Sequence, residues 1–225
     1  MPQTTAPARA TKGPGMEGFT AKWYAKTTLV QMNEFRALAQ RVSSELPPGA
    51  RVLEIAPGPG YFAIELAKLG DFRITGLDIS STFVEIANQN ARAAGVHVDF
   101  RRGNASAMPF EDGAFDFILC RAAFKNFAEP VRALQEMYRV LARGGRAVVI
   151  DLRRDTTPAL INEAVDQMHL GAVNRVITKM TFRFMLLKRA YTKAEFEEML
   201  AETNFQSFDI KQEGIGLEVS MRRAA

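Results

Sequence analysis

Apolar and polar positions follow two rhythms along the chain, a helical period and short continuous apolar runs. From about Lys26 to Glu45, Leu29, Met32, Phe35, Leu38, Ala39 and Val42 recur at three- and four-residue steps, and Pro47-Pro48 ends the pattern. Arg51–Ala56 is an apolar run of strand length that enters a Pro-Gly-Pro-Gly turn. Tyr61–Leu69 predicts a helix closed by Gly70, and Phe72–Leu77 a second strand ending at Asp78. Ser80 or Ser81 caps a helix to about Ala94, with Gly95 as its stop. Val96–Arg101 and Phe115–Cys120 are the third and fourth strands. Pro130–Ala142 is a helix ended by Gly144-Gly145, and Arg146–Leu152 is a fifth strand.

Strands alternating with helices at this spacing imply right-handed crossovers and a parallel sheet with helices on both faces, an α/β class. The rhythm breaks after Leu152. Thr157–Arg189 has helical character without a strand partner, so residues 153–190 are expected to be a helical insertion. Thr192 caps a helix to about Glu202. Two closing strands follow, near Ser207–Gln212 and Gly216–Met221, as a late antiparallel pair. Residues 1–18 contain no Leu, Ile, Val or Trp and bury too little to offset their ordering entropy, so a disordered arm precedes one domain over 19–225.

Composition narrows the class. With 225 residues, 47% apolar and 24% charged, the chain is neither disordered nor a rod. No run approaches the length of a membrane span, and residues 1–18 lack the apolar core of a secretory signal, so a cytoplasmic location is expected. Cys120 is the single cysteine, and His97 and His169 are far apart, which leaves no disulfide and no metal site. A net charge of +4 is too weak to argue for nucleic acid.

The chemistry concentrates in Val52–Tyr61. A buried strand there runs into Ala56-Pro57-Gly58-Pro59-Gly60 and then a helix. Glycine lets backbone approach a ligand closely, and a helix N-terminus offers free N–H groups. Asp78, at the end of the next strand, is placed to bind the hydroxyls of a ribose. Gly58-Pro59-Gly60-Tyr61-Phe62-Ala63 also fits the dinucleotide fingerprint G-x-G-x-x-A, so a nicotinamide-dependent oxidoreductase stays open on the motif alone. Three features oppose it. Glu54 lies where an acid reaches a ligand's ammonium through water. Gly103-Asn104-Ala105 and Met108-Pro109-Phe110 can frame an adenine edge. No Tyr-x-x-x-Lys pair exists.

Together these residues resemble a class I S-adenosylmethionine-dependent methyltransferase over roughly residues 28–152. Glu54 to Gly60 resembles the first motif of that family, Asp78 the ribose-binding acid, Phe115–Leu119 the fourth-strand motif, and Leu141–Gly145 the turn before strand five. The resemblance implies a Rossmann-like, seven-stranded, mostly parallel sheet. It implies S-adenosylmethionine as cofactor, with S-adenosylhomocysteine as product, bound over strands one, two and four. Glu54, Ala56, Pro57, Gly58 and Gly60 are then expected around its amino-acid part, Asp78 and Ile79 at ribose and adenine, and Asn104 and Ala105 at the adenine edge. Arg121 completes this set. Ala56 stands where the family has its first glycine, and Arg143 replaces the usual proline. Alanine is tolerable at position 56 if φ is negative there.

The acceptor side is less marked. Cys120-Arg121-Ala122-Ala123-Phe124 is not the Asn/Asp-Pro-Pro-aromatic tetrad of nucleobase amine methylases, which argues against DNA. Lys125-Asn126-Phe127 and Glu136–Leu141 locally resemble the ubiquinone/menaquinone C-methyltransferases, a hint of a small-molecule acceptor. Trp23, Tyr24, Phe124, Asn126 and Tyr191 are the substrate-binding candidates, and His169, Tyr191 and Tyr24 the candidates for proton transfer. Gly171–Ala194 carries six basic residues and no acid, and is expected to be a lid, a dimer contact or a solvated face. Besides the oxidoreductase, the rival readings are a non-catalytic S-adenosylmethionine-binding protein and an RNA methyltransferase using that basic segment.

Overall fold

Seven strands form one sheet, six running in one direction and one, the last in the chain, against them. They are β1 (Arg51–Ile55), β2 (Arg73–Asp78), β3 (Asp99–Arg102), β4 (Phe115–Arg121), β5 (Leu141–Leu152), β6 (Ser207–Glu213) and β7 (Gly216–Arg222). Their order is β3-β2-β1-β4-β5-β7-β6. β7 runs antiparallel to both β5 and β6, so the expected closing pair is present. The computed structural model describes residues 11–13, 15–168, 171–182 and 186–225.

Helices cover both faces. On one, α2 (Met32–Glu45), α3 (Tyr61–Ala67) and α4 (Ser81–Ala93) pack Phe35, Leu38, Phe62, Leu66 and Ala87 against Val52, Phe117 and Val148. On the other, α5 (Pro130–Val140) and α9 (Lys193–Ala201) pack Leu134, Met137, Phe196 and Leu200 against Leu53, Ile118 and Val149. Because β1 turns one way to β2 and the other way across to β4, the chain splits above their carboxyl ends. That crevice is where ligands bind in open α/β sheets.

Three elements depart from the sequence pattern. The helix expected over Lys26–Glu45 is broken into α1 (Gly18–Thr28), a 3-10 turn (Leu29–Gln31) and α2. The break accompanies a change of buried face, from Ala21, Ala25 and Thr28 to Phe35, Leu38, Ala39 and Val42. β5 begins at Leu141, before Gly144-Gly145, which forms a bulge inside the strand. Gly144 has φ +75°, and a side chain on Gly145 would meet the carbonyl oxygens of Ala142 and Asp116 at 2.9 Å. The segment after β5 is three helical pieces, α6 (Pro158–Asp166), α7 (Ala172–Thr181) and α8 (Leu187–Arg189). Ile161, Val165 and Leu187 make a small core of their own beside Leu152, Phe182 and Ile215.

Candidate functional site

The β1–α3 turn is held open by backbone geometry. Gly58 (φ +55°) and Gly60 (φ +79°) both adopt the left-handed conformation. Gly60 is the N-cap of α3 and has no side chain with which to cap it. Glu54, on β1, takes over that task, its Oε2 accepting from the N–H of Ala63 at 3.2 Å. Glu54 is only 3% exposed, and burial pushes its carboxyl up to about 8. The far side of the turn is tied by Asn90, whose side-chain amide donates to the Pro59 carbonyl at 2.9 Å.

Asp78 closes the turn from β2. Its Oδ2 accepts from Gly58 N–H at 3.0 Å and its Oδ1 from Ser80 N–H at 2.9 Å. Ser80 in turn caps α4 through Phe83 N–H. Each Asp78 oxygen keeps a free lone pair, the pattern that two vicinal hydroxyls require. Burial raises the Asp78 carboxyl despite these two donors.

Ala56 does not meet the condition on which alanine is comfortable. Its φ is +53°, and Ala122, at the end of β4, has φ +58°. Left-handed backbone costs an L-residue about 1–2 kcal/mol. Both lie at the carboxyl ends of strands flanking the crevice, where strain commonly collects.

Beside the Gly58 turn lies a cavity of about 30 Å³ lined by Ala56, Ile79, Asn104, Ala105, Phe127 and Thr11, among others. A small-molecule site normally needs about 300 Å³ or more. Thr11 accounts for part of the closure. It bridges to Phe127, and Lys12 N–H donates to the Asn126 carbonyl at 2.8 Å. The Lys12 ammonium donates to the Tyr191 hydroxyl at 2.5 Å. Residues 11–13 and 15–18 were expected to belong to a disordered arm; these bonds lay residues 11–13 across the crevice. Glu17, within the same stretch, accepts from Ser81 and Thr82 N–H and so caps α4 from outside. A larger cavity of about 540 Å³, between Glu45, Asp116, Arg143 and Arg222, sits at the amino ends of the strands, away from the Gly58 turn.

The remaining candidates fall in different places. Asn104 spends one lone pair of its side-chain oxygen on Ser106 N–H at 3.0 Å. Arg121 pairs with Glu34 at 2.6 Å and lies over the Phe35 ring, joining β4 to α2. Tyr24 reaches the turn, since a side chain on Gly58 would sit 3.9 Å from its ring. Trp23 is 59% exposed and lines neither of the two cavities described. Phe124 is fully buried, stacked 5.0 Å from Phe196, so its ring serves the core rather than a ligand. Tyr191 is half-buried against the same rings, and burial raises its phenol, which keeps it protonated at neutral pH and unsuited to act as a base. His169 lies outside the described residues. Cys120 is buried and its thiol is pushed well up, which excludes it as a nucleophile. Among the described residues no cluster of metal-ligating side chains occurs.

One structural feature beside the crevice has no local sequence signal. Lys125 and Asp151, both 5% exposed, form a buried ion pair at 2.8 Å. Asp151 also accepts from the Lys125 and Leu152 N–H groups, and the Lys125 ammonium donates to the Ala122 carbonyl at 2.5 Å. The pair therefore fixes the strained end of β4 to the end of β5.

Residues 53–149 match the methyltransferase domain family. A demethylmenaquinone methyltransferase of Thermus thermophilus is 41% identical over 102 residues, 45% of this chain and 46% of that protein. One of Deinococcus radiodurans is 38% identical over 117 residues, 52% of this chain and 48% of that protein. The chain thus spans about half the length of these curated relatives. A solved structure from Methanococcus maripaludis, assigned as an S-adenosyl-L-methionine-dependent methyltransferase, superposes with a TM-score of 0.75 at 20% identity, covering 97% of this chain and 98% of that one. Residues 53–149 thus resemble a methyltransferase domain, and the chain shares the fold of that solved structure over almost its whole length.

Proposed function

We propose that the protein transfers the methyl group of S-adenosylmethionine to a small, apolar, quinone-like ring compound. The Asp78 clasp carries the cofactor half of this reading. A buried carboxylate grips the Gly58 turn while offering two lone pairs to the crevice. The likeness to demethylmenaquinone methyltransferases over about half of the chain supports the acceptor half.

The cofactor brings its own reactive methyl on a sulfonium centre, so the protein's task is chiefly alignment and exclusion of water. Gly58 and Gly60 would leave room for the amino-acid part, Glu54 would receive its ammonium through water, and Asp78 would take the ribose hydroxyls. Ile79, Asn104 and Ala105 would hold the adenine. Tyr24 from α1, with Asn126 and Tyr191, would border the acceptor. The α6–α8 segment would act as a lid over it. The 30 Å³ cavity implies that the Thr11–Lys12 strap swings aside when the cofactor binds.

Calorimetric titration with S-adenosylmethionine, S-adenosylhomocysteine and NADH tests the first half. Micromolar binding of the first two and none of NADH is expected, and NADH binding alone would return the turn to the dinucleotide class. Methyl transfer to a short-chain demethylmenaquinol, against a catechol and a thiol as comparison acceptors, tests the second.

A further inference from the structure

The outer face of α1 is apolar, cationic and uncovered. Phe19 is 84% exposed, Trp23 59%, and Val30, in the following 3-10 turn, 87%. At 3.6 residues per turn these three positions fall within roughly 40° of one another. Lys22 and Lys26 are exposed and share that side, and neither has an ion-pair partner among the described residues. Residues 18–33 contain no Asp or Glu. The nearest acids are engaged elsewhere, Glu17 on the N-terminus of α4 and Glu34 on Arg121. The opposite face of α1 buries Ala21, Ala25 and Thr28.

We infer that this face docks on a lipid bilayer surface that contains anionic phospholipid. The chemistry selects that partner in two ways. The face is one helix wide, and large apolar side chains exposed on a single helix can enter the acyl boundary without a matching groove. A stable protein interface instead needs a patch of about 800 Å² per partner. The two unpaired lysines complement anionic headgroups, and tryptophan favours the interface between headgroups and acyl chains. The inner face of α1 places Tyr24 against Phe83 and beside Gly58. Docking by the outer face would therefore set the crevice at the bilayer. On the acceptor reading proposed above, that geometry would let an apolar ring compound pass from lipid to the site; the docking itself does not depend on that reading.

Trp23 is the only tryptophan in the chain, so its fluorescence reports this face directly. Full-length protein is titrated with phosphatidylcholine vesicles, with and without about 30 mol% phosphatidylglycerol. A blue shift of Trp23 emission and quenching by brominated acyl chains are expected with the anionic vesicles, weakening at high salt. The double variant Phe19→Ser/Val30→Ser should lose about tenfold in co-sedimentation, since apolar insertion supplies much of the binding. Its melting temperature and its affinity for S-adenosylhomocysteine should be unchanged, which separates loss of docking from loss of fold or cofactor site. No emission change with either vesicle would overturn the inference, as would equal co-sedimentation of parent and variant. Concentration-dependent self-association without vesicle binding would also overturn it and make the face a contact between copies.

Discussion

Asp78 and Gly58, twenty residues apart in the chain, meet through a hydrogen bond of 3.0 Å from the Gly58 N–H to the Asp78 carboxylate. One side chain thus shapes the turn and presents free lone pairs beside it. Asp78→Ala should weaken S-adenosylhomocysteine binding by about 1–3 kcal/mol, the range for losing hydrogen bonds to a charged group. Calorimetric titration reads this directly, and unchanged affinity would remove Asp78 from the ribose role.

Glu54 makes stability depend on pH. Its carboxyl rises from 4.5 in the unfolded chain to about 8 in the fold. Between those values the native state holds a proton that the unfolded state has lost, so stability falls as pH rises through this window. The contribution is fully present below 4.5 and gone above about 8. Glu54→Gln should flatten the slope between pH 5 and 8, where the native protein can lose at most about 1.4 kcal/mol per pH unit from this group. Urea unfolding at several pH values decides it, and parallel slopes would show that Glu54 is not the titrating group.

Ala56→Gly and Ala122→Gly should each raise the melting temperature. Relief of left-handed strain is worth about 1–2 kcal/mol, and glycine's extra unfolded-state entropy takes back about 0.5–1. Differential scanning calorimetry would detect the net gain; a fall would mean that the methyl groups contribute packing that exceeds the strain.

Lys125→Met should destabilise the protein by about 3–5 kcal/mol, because it strands the buried Asp151 carboxylate. Lys125→Met/Asp151→Asn should recover much of that loss, since the amide oxygen still accepts a backbone N–H without carrying charge. If the double variant unfolds no later than the single one, the charge is not what the pair neutralises.

The strap should govern how fast the cofactor arrives. Lys12→Ala and Tyr191→Phe both remove the bond between strap and Tyr191. Stopped-flow binding of S-adenosylhomocysteine should show faster association and faster release, with a small change in affinity. Unaltered rates would mean that the crevice opens elsewhere.

The sequence shows the Gly58–Gly60 turn, Asp78 and the alternating core clearly because each is a local signal, an apolar run, a glycine pair or an acid at a strand end. The sign of φ at Ala56 is not legible in that way, since alanine carries no marker for left-handed backbone. Lys125 and Asp151 escape notice because they stand 26 residues apart and become neighbours only when β4 and β5 align. The strap is hidden for a different reason. It is held by backbone bonds and a single lysine, so its composition still looks like that of a free arm. Phe124 misleads in the opposite sense: an aromatic residue beside the crevice reads as a ligand contact, yet the ring turns into the core.

β7 enters the sheet between β5 and β6, although it follows β6 in the chain. Its partners on β5 precede it by more than sixty residues, so this pairing closes a long loop and is expected to form late in folding. Until then β5 is an open edge with Ala147, Val148 and Val149 in sequence, a template for strand addition from another molecule. Refolding yield should therefore fall steeply with protein concentration, and the hazard would lie in an intermediate rather than in the finished sheet.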